Sequence, residues 1–220
     1  QGHSHDERMA LSQDVREVLL KKWSDVEAIG LYGSVARGED AQWSDLDMIC
    51  IVKSTSGKDD LFFIYQGLPI WVEVWSKPYI IEKIQEPEPV WPISTNKWFE
   101  VVALYDPYDV FQELRKCIET LPPSFYIKGM EDSLLDAGLE LNKMRAGHEA
   151  GDEIETRDAA HRFAEDLALF IAYLNHTFYK RGRIFKEYEE FKDVPSHYGD
   201  EIHKLAGHVF VDMPALRASA

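Results

Sequence analysis

The sequence predicts an α/β protein, a small mixed-sheet domain followed by an all-helical one. Three observations lead there. Apolar runs of strand length alternate with helical spacings as far as Tyr105. Beyond Asp106-Pro107 the apolar residues keep a helical period alone. The chain is 45% apolar and 12% aromatic over 220 residues, enough to bury a sizeable core in one large domain or two small ones.

Each element has a local reason. Met9, Leu11, Val15, Val18, Leu19 and Trp23 recur at helical spacing within Glu7–Trp23. Val26–Tyr32 reads as a strand stopped by Gly33, and Leu46–Val52 as a second strand. Leu61–Gln66 and Pro69–Trp75 read as a hairpin around Gly67. Pro78 suits the first turn of a short helix to Gln85, where an N–H would have no helical partner. Pro87-Glu-Pro-Val-Trp-Pro92 is a stiff connector, and Lys97–Tyr105 fits strand or helix. Val110, Phe111, Leu114, Cys117, Ile118 and Leu121 mark a helix ended by Pro122-Pro123. Ser124–Arg145 is a further helix closed near Gly147, and Gly151–Glu155 an acidic loop. Phe163, Leu167, Phe170, Ile171, Leu174 and Phe178 line one face of a long helix, and Lys180-Arg-Gly-Arg183 reads as its basic cap or, second, as a cluster reaching a triphosphate. Shorter helices at Ile184–Phe191 and Ser196–Ala206 follow. The expected division is an α/β domain over 6–106 and a helical domain over 107–220. Residues 1–5 read as an expression remnant and disordered start, since Gln1-Gly2-His3-Ser4 lacks an initiator Met.

Charge narrows the partners. With 24 Lys and Arg against 39 Asp and Glu, the formal charge is −15. Proteins that grip phosphodiester backbones cluster cations, so nucleic acid is not an expected partner and a small cationic molecule is favoured. No apolar run approaches the roughly 18 uncharged residues of a membrane span, so no membrane partner is expected. Cys50 and Cys117 sit in apolar contexts and read as buried free thiols of a reducing, cytoplasmic compartment. The histidines lack ligand spacing and read as structural; His203 and His208 are five apart and not stacked on a helix.

The residues able to do chemistry lie in one stretch and one later strand. A strand ends at Gly33-Ser34, where backbone N–H groups and the Ser34 hydroxyl make an anion site. Arg37, one turn on, is placed to pair with phosphate oxygens. Asp45 and Asp47 leave the same face of the next strand. Two such carboxylates repel unless a cation lies between them, and Mg²⁺ with phosphate oxygens is the usual occupant. Glu73 is a charge in an otherwise apolar strand, where burial alone is costly. Beside Asp45 and Asp47 it would be the third carboxylate of a metal site. Three carboxylates next to a phosphate-binding turn suit two-metal phosphoryl or nucleotidyl transfer.

Gly33-Ser34, Asp45-Leu-Asp47 and Glu73, in that order, resemble the DNA polymerase β-type nucleotidyltransferase superfamily, in which a Gly-Ser turn holds the triphosphate and three carboxylates bind Mg²⁺. Further stretches narrow the resemblance to the kanamycin-modifying aminoglycoside 4′-O-nucleotidyltransferases. They are Glu7-Arg-Met-Ala, Ala28-Ile-Gly-Leu-Tyr-Gly-Ser34, Trp71-Val-Glu-Val74, Trp91-Pro92, Tyr105-Asp106 and Val194-Pro-Ser-His-Tyr198.

The resemblance implies a polymerase β-like nucleotidyltransferase domain followed by a helical substrate-binding domain. It implies ATP or another nucleoside triphosphate as co-substrate, two Mg²⁺ ions and a homodimer. The acceptor would be a cationic aminoglycoside such as kanamycin or tobramycin, inactivated at its 4′-hydroxyl, which is antibiotic resistance. Gly33, Ser34 and Arg37 would contact the triphosphate, and Asp45, Asp47 and Glu73 would hold metal. The family's base, a carboxylate on the first long helix of the second domain, aligns with Asp136. Asp132, Asp136, Glu140 and Lys143 fall on one helical stripe, and Asp132 and Glu140 would offer ion pairs to drug ammonium groups. Three positions depart from the family. Asp47 stands where the kanamycin-modifying members have Glu, which is within the superfamily's variation, their antibiotic-gripping Glu aligns with Ile64, and a supporting Lys aligns with Glu140. Two alternatives stay open: another acceptor (a lincosamide or a protein hydroxyl), or a catalytically silent nucleotide-binding module.

Overall fold

The computed structural model describes residues 2–55, 58–180, 183–209 and 212–219. Two compact units emerge, one of Gln1–Glu86 with Lys97–Leu121, the other of Pro87–Asn96 with Pro122–Ala220. In chain order the elements begin with α1 (His5–Lys22), β1 (Val26–Tyr32), α2 (Gly33–Ala36), β2 (Leu46–Val52), β3 (Lys58–Tyr65), β4 (Leu68–Trp75) and α3 (Lys77–Gln85). Then come α4 (Trp91–Ser94), α5 (Lys97–Glu100), β5 (Val102–Tyr105) and α6 (Val110–Glu119). The helices α7 (Pro123–Ala150), α8 (Glu153–Leu174), a 3-10 turn Glu187–Glu190, α9 (Tyr198–Leu205) and α10 (Met213–Ser219) follow.

The first unit is built on a five-stranded sheet of order β3-β4-β2-β1-β5, in which β2 and β4 run parallel and the other neighbours antiparallel. Alternation on the strands sorts the faces. Leu46, Met48, Cys50 and Val52 of β2 share a core with Leu68, Ile70, Val72 and Val74 of β4 and with Leu11, Val15 and Leu19 of α1. Each of those large side chains stabilises the unit by about 1.5–3 kcal/mol on leaving water. By the same alternation Asp47, Ile49 and Ile51 lie on the opposite face with Trp71, Glu73 and Trp75. The ladder pairs Asp47 with Trp71 and Ile49 with Glu73, so Glu73 lies one row deeper into the sheet than Asp47.

Ser4 and His5, within the stretch expected to be disordered, take part in the structure. Ser4 caps α1: its hydroxyl takes the Glu7 N–H while the Glu7 carboxylate takes the Ser4 N–H at 2.7 Å. His5 Nδ1 lies 2.7 Å from an Asp40 carboxylate oxygen. The division of units also differs from the expected break after Asp106. The Asp106 carboxylate accepts from the N–H groups of Val110 and Phe111 at 2.8 and 3.1 Å, turning α6 back onto the sheet. There the Phe111 ring fills the space that a Cβ on Gly30 would need. Lys97–Tyr105 is helix and strand in succession, and Gly151, at φ 72°, is the left-handed cap that lets α8 begin at Glu153 rather than leave a loop.

In the second unit α7 and α8 form an antiparallel pair. A Cβ on Gly129 would strike the Tyr173 ring, and one on Gly147 would crowd Thr156. Ala137 and Met144 of α7 share a core with Ala159, Ala160, Phe163, Ala164 and Ala168 of α8. Helix α8 stops at Leu174 with Asn175 as its cap, five residues ahead of Lys180; of the basic cluster expected to cap it, Arg181 and Gly182 lie outside the described residues. Cys50 is buried and Cys117 half-buried, both free. His203 and His208 are brought together, Nδ1 to Nδ1, at 2.9 Å. Among the described residues no helix is long and apolar enough to cross a membrane.

Candidate active site

The site in the sheet unit begins where β1 ends. Gly33 adopts φ +77°, and a Cβ there would run into Oδ2 of Asp47, so both the backbone and the neighbouring carboxylate demand glycine. Asp47 is brought there by the antiparallel ladder, which pairs it with Tyr32, the residue before the turn. Ser34 follows, half-buried, in the single-turn α2. A helix of four residues has little dipole, so any anion held here would depend on the turn's N–H groups and the Ser34 hydroxyl.

Asp45 is exposed, just ahead of β2, at the end of a loop pinned to α1. The pin is Arg8, 1% exposed. Its Nε donates to Ser44 O at 3.0 Å, Nη1 to Asp40 Oδ2 at 2.9 Å, and Nη2 to Ala41 O and Gln42 O, each at 2.8 Å. A planar fork with this many donors can fix several carbonyls at once, which a lysine cannot.

Arg37 is differently placed from the expectation that it grips phosphate. Its Nε donates to Glu39 at 2.8 Å and its Nη1 to Glu100 at 2.6 Å. Burial opposes the guanidinium charge, yet the two carboxylates outweigh it and hold the pKa above the ordinary arginine value. In this arrangement Arg37 braces the turn against α5.

Glu73 finds its counter-charge in Lys97 rather than in a metal cluster. Lys97 Nζ donates to the Glu73 carboxylate, with the two side chains 13% and 14% exposed. The same ammonium lies 4.0 Å from the centroid of Trp75, 5.2 Å from Trp98 and 5.5 Å from Tyr32. Burial pulls the Lys97 pKa below its usual value, opposed by Glu73. Among the described residues no group of three or more His, Cys, Asp or Glu is gathered to hold a metal. The expected trio of Asp45, Asp47 and Glu73 is therefore not assembled: Glu73 lies a row deeper, and its carboxylate is taken by the lysine.

The helical unit carries the second set. Asp132, Asp136 and Glu140 repeat at every fourth position of α7, each half-buried. Asp132 pairs with Lys128 at 2.5 Å; Glu140 pairs with Lys143 at 2.5 Å and with Arg162 of α8 at 3.6 Å. The contacts of Gly129 with Tyr173, Glu140 with Arg162 and Gly147 with Thr156 set the register of the two helices, and that register puts Asp166 opposite Asp136. Burial, reinforced by the Asp136 and Glu140 charges, pushes the Asp166 carboxyl up to about 6.

Residues 12–115 match the family model described as nucleotidyltransferase domain. That stretch, just under half of the chain, resembles a nucleotidyltransferase domain. Over 104 residues the chain is 27% identical to proteins named aminoglycoside nucleotidyltransferase (4′) from Staphylococcus aureus and from a Bacillus species. That stretch is 47% of this chain and 41% of each relative, so the match spans less than half of their length. A solved nucleotidyltransferase-like protein from Exiguobacterium sibiricum shares the fold, with a TM-score of 0.58 over 95% of this chain and 71% of the other, at 10% identity. The matched stretch holds Gly33, Ser34, Asp45, Asp47 and Glu73, all singled out in the sequence. It also holds Arg8's loop contacts and Lys97, which were not. A signal for Lys97 existed: a lone cation beside Trp98-Phe99, where burial among rings would need a carboxylate partner. Asp166, on the apolar face that Phe163, Leu167 and Phe170 mark, was legible in the same way.

Proposed function

We propose that the chain transfers a nucleoside monophosphate from ATP or another nucleoside triphosphate to a hydroxyl of an aminoglycoside, the 4′-hydroxyl by analogy with the named relatives. The observation that carries this reading is the abutment of Gly33 and Asp47, which brings a phosphate-type turn and a cation-type carboxylate together at one sheet end. The donors near it are hard oxygens, Asp45 and Asp47, which fit Mg²⁺. When bound there, the ion supplies positive charge against the phosphate oxygens. The turn's N–H groups and Ser34 hold the triphosphate. In the transfer, the acceptor oxygen bonds to the α-phosphorus, the bond from that phosphorus to the bridging oxygen breaks, and pyrophosphate leaves. On this reading Asp136 takes the hydroxyl proton, and Asp132 and Glu140 offer charge to the drug's ammonium groups.

Pyrophosphate release from ATP and Mg²⁺ with kanamycin, tobramycin, lincomycin or no acceptor tests it. Release should require an aminoglycoside, and Asp47→Asn should lower the rate at least ~100-fold with an unchanged thermal midpoint. Release that ignores the acceptor, or favours lincomycin, sinks the aminoglycoside reading. Full activity in both Asp45→Asn and Asp47→Asn removes the carboxylates from the mechanism.

A further inference from the structure

We propose that Lys97 is a resident cation of the nucleotide site and stands where a second divalent ion would, so that this chain works with one metal, held by Asp45 and Asp47. The inference rests on the carboxylate reading just given. Glu73 shares the sheet face of Asp47, one row deeper, and its carboxylate is engaged by Lys97 Nζ. This lysine is not a surface cation that happens to lean inward. Its side chain is 13% exposed, and its ammonium stands over Trp75 at 4.0 Å, with Trp98 and Tyr32 at 5.2 and 5.5 Å. Ring faces attract an ammonium, and a buried carboxylate offsets the loss of its water. The position is therefore built from four sides. A divalent ion approaching Glu73 would meet a fixed like charge in a pocket that screens poorly. Tyr32 also directly precedes Gly33, so the ammonium stands beside the strand end that leads into the phosphate turn. Its charge there serves bound phosphate without an ion at Glu73.

Equilibrium dialysis of the full chain against Mn²⁺ and non-hydrolysable α,β-methylene-ATP, read by Mn²⁺ resonance and nucleotide absorbance, counts ions and nucleotides per chain. The wild type should hold one Mn²⁺ per bound nucleotide. Glu73→Gln should still hold one, with its dissociation constant within about threefold of wild type, and Lys97→Met should hold two. Two ions in the wild type, or loss of the ion in Glu73→Gln, overturns the proposal while leaving Asp45 and Asp47 as ligands. If circular dichroism shows Lys97→Met unfolded, the Glu73→Gln count decides alone. Asp47→Asn that binds Mn²⁺ and nucleotide as the wild type does overturns the carboxylate reading itself, and Lys97's role with it.

Discussion

At the scale of single residues, burial sets what a charge can do. Arg8 and Lys97 are both enclosed cations of the sheet unit, yet they are satisfied differently. Arg8 spreads four hydrogen bonds over one carboxylate and three carbonyls, whereas Lys97 is a point charge among ring faces with one carboxylate. Asp166 is the reverse case, an anion facing other anions. Its folded pKa of about 6 lies above the roughly 3.9 of an unfolded aspartate, so between those values the native state holds the extra proton. Stability contributed by that proton is present at low pH and is lost as pH rises from about 4 through 6. Asp166→Asn should therefore raise the unfolding free energy read from urea titration at pH 7.5, by roughly 1 kcal/mol once solvent screening of a half-buried group is allowed for, and leave it unchanged at pH 4. An equal gain at both pH values would mean that repacking, not charge, is responsible.

At the scale of elements, the pair α7 and α8 gives two glycines with opposite expectations. Gly129 lies against the ring of Tyr173, whose hydroxyl donates to Glu88 O at 2.5 Å and whose ring stacks on Trp91 at 5.8 Å. The ring cannot retreat, so Gly129→Ala should cost about 1–3 kcal/mol. Gly138 has nothing within 4 Å of an added Cβ, so Gly138→Ala should gain about 1 kcal/mol from helix propensity. Thermal unfolding of the two variants reads the sign directly; a stabilising Gly129→Ala would mean the helices separate without cost. The same distinction marks what was legible in the chain. Val26–Tyr32 and Leu46–Val52 were read to the residue, because a short apolar run of strand length, stopped by Gly33 in one case and by the polar residues after Val52 in the other, is a local signal. The placement of α6 was not, since Asp106's bonds to Val110 and Phe111 reverse the chain through contacts that no local period encodes. Nor was the turning of Glu73 toward Lys97, 24 residues away, because a buried carboxylate announces a need for a partner but not which partner.

At the scale of the whole molecule, a formal charge of −15 makes long-range attraction of a polycation a property of the chain rather than of a few contacts. Such attraction acts through solvent and is screened over a Debye length of about 10 Å at 0.1 M salt. It lowers the free energy of the encounter and of the bound drug but does not distinguish the bound drug from the transition state. Interactions of that kind change KM and leave kcat alone. The KM for kanamycin should therefore rise several-fold, roughly threefold to tenfold, between about 50 and 300 mM NaCl, with kcat steady. Part of the slope should be local. Asp132 and Glu140 already have lysine partners at 2.5 Å, so on the proposed function the ammonium groups of an aminoglycoside would compete with Lys128 and Lys143 for them. Asp132→Asn with Glu140→Gln should flatten the salt dependence and raise KM at low salt, whereas a change confined to kcat would place both residues in the chemical step. A KM indifferent to salt in the wild type would remove electrostatic capture from the account and leave the acceptor to be recognised by shape and hydrogen bonding alone.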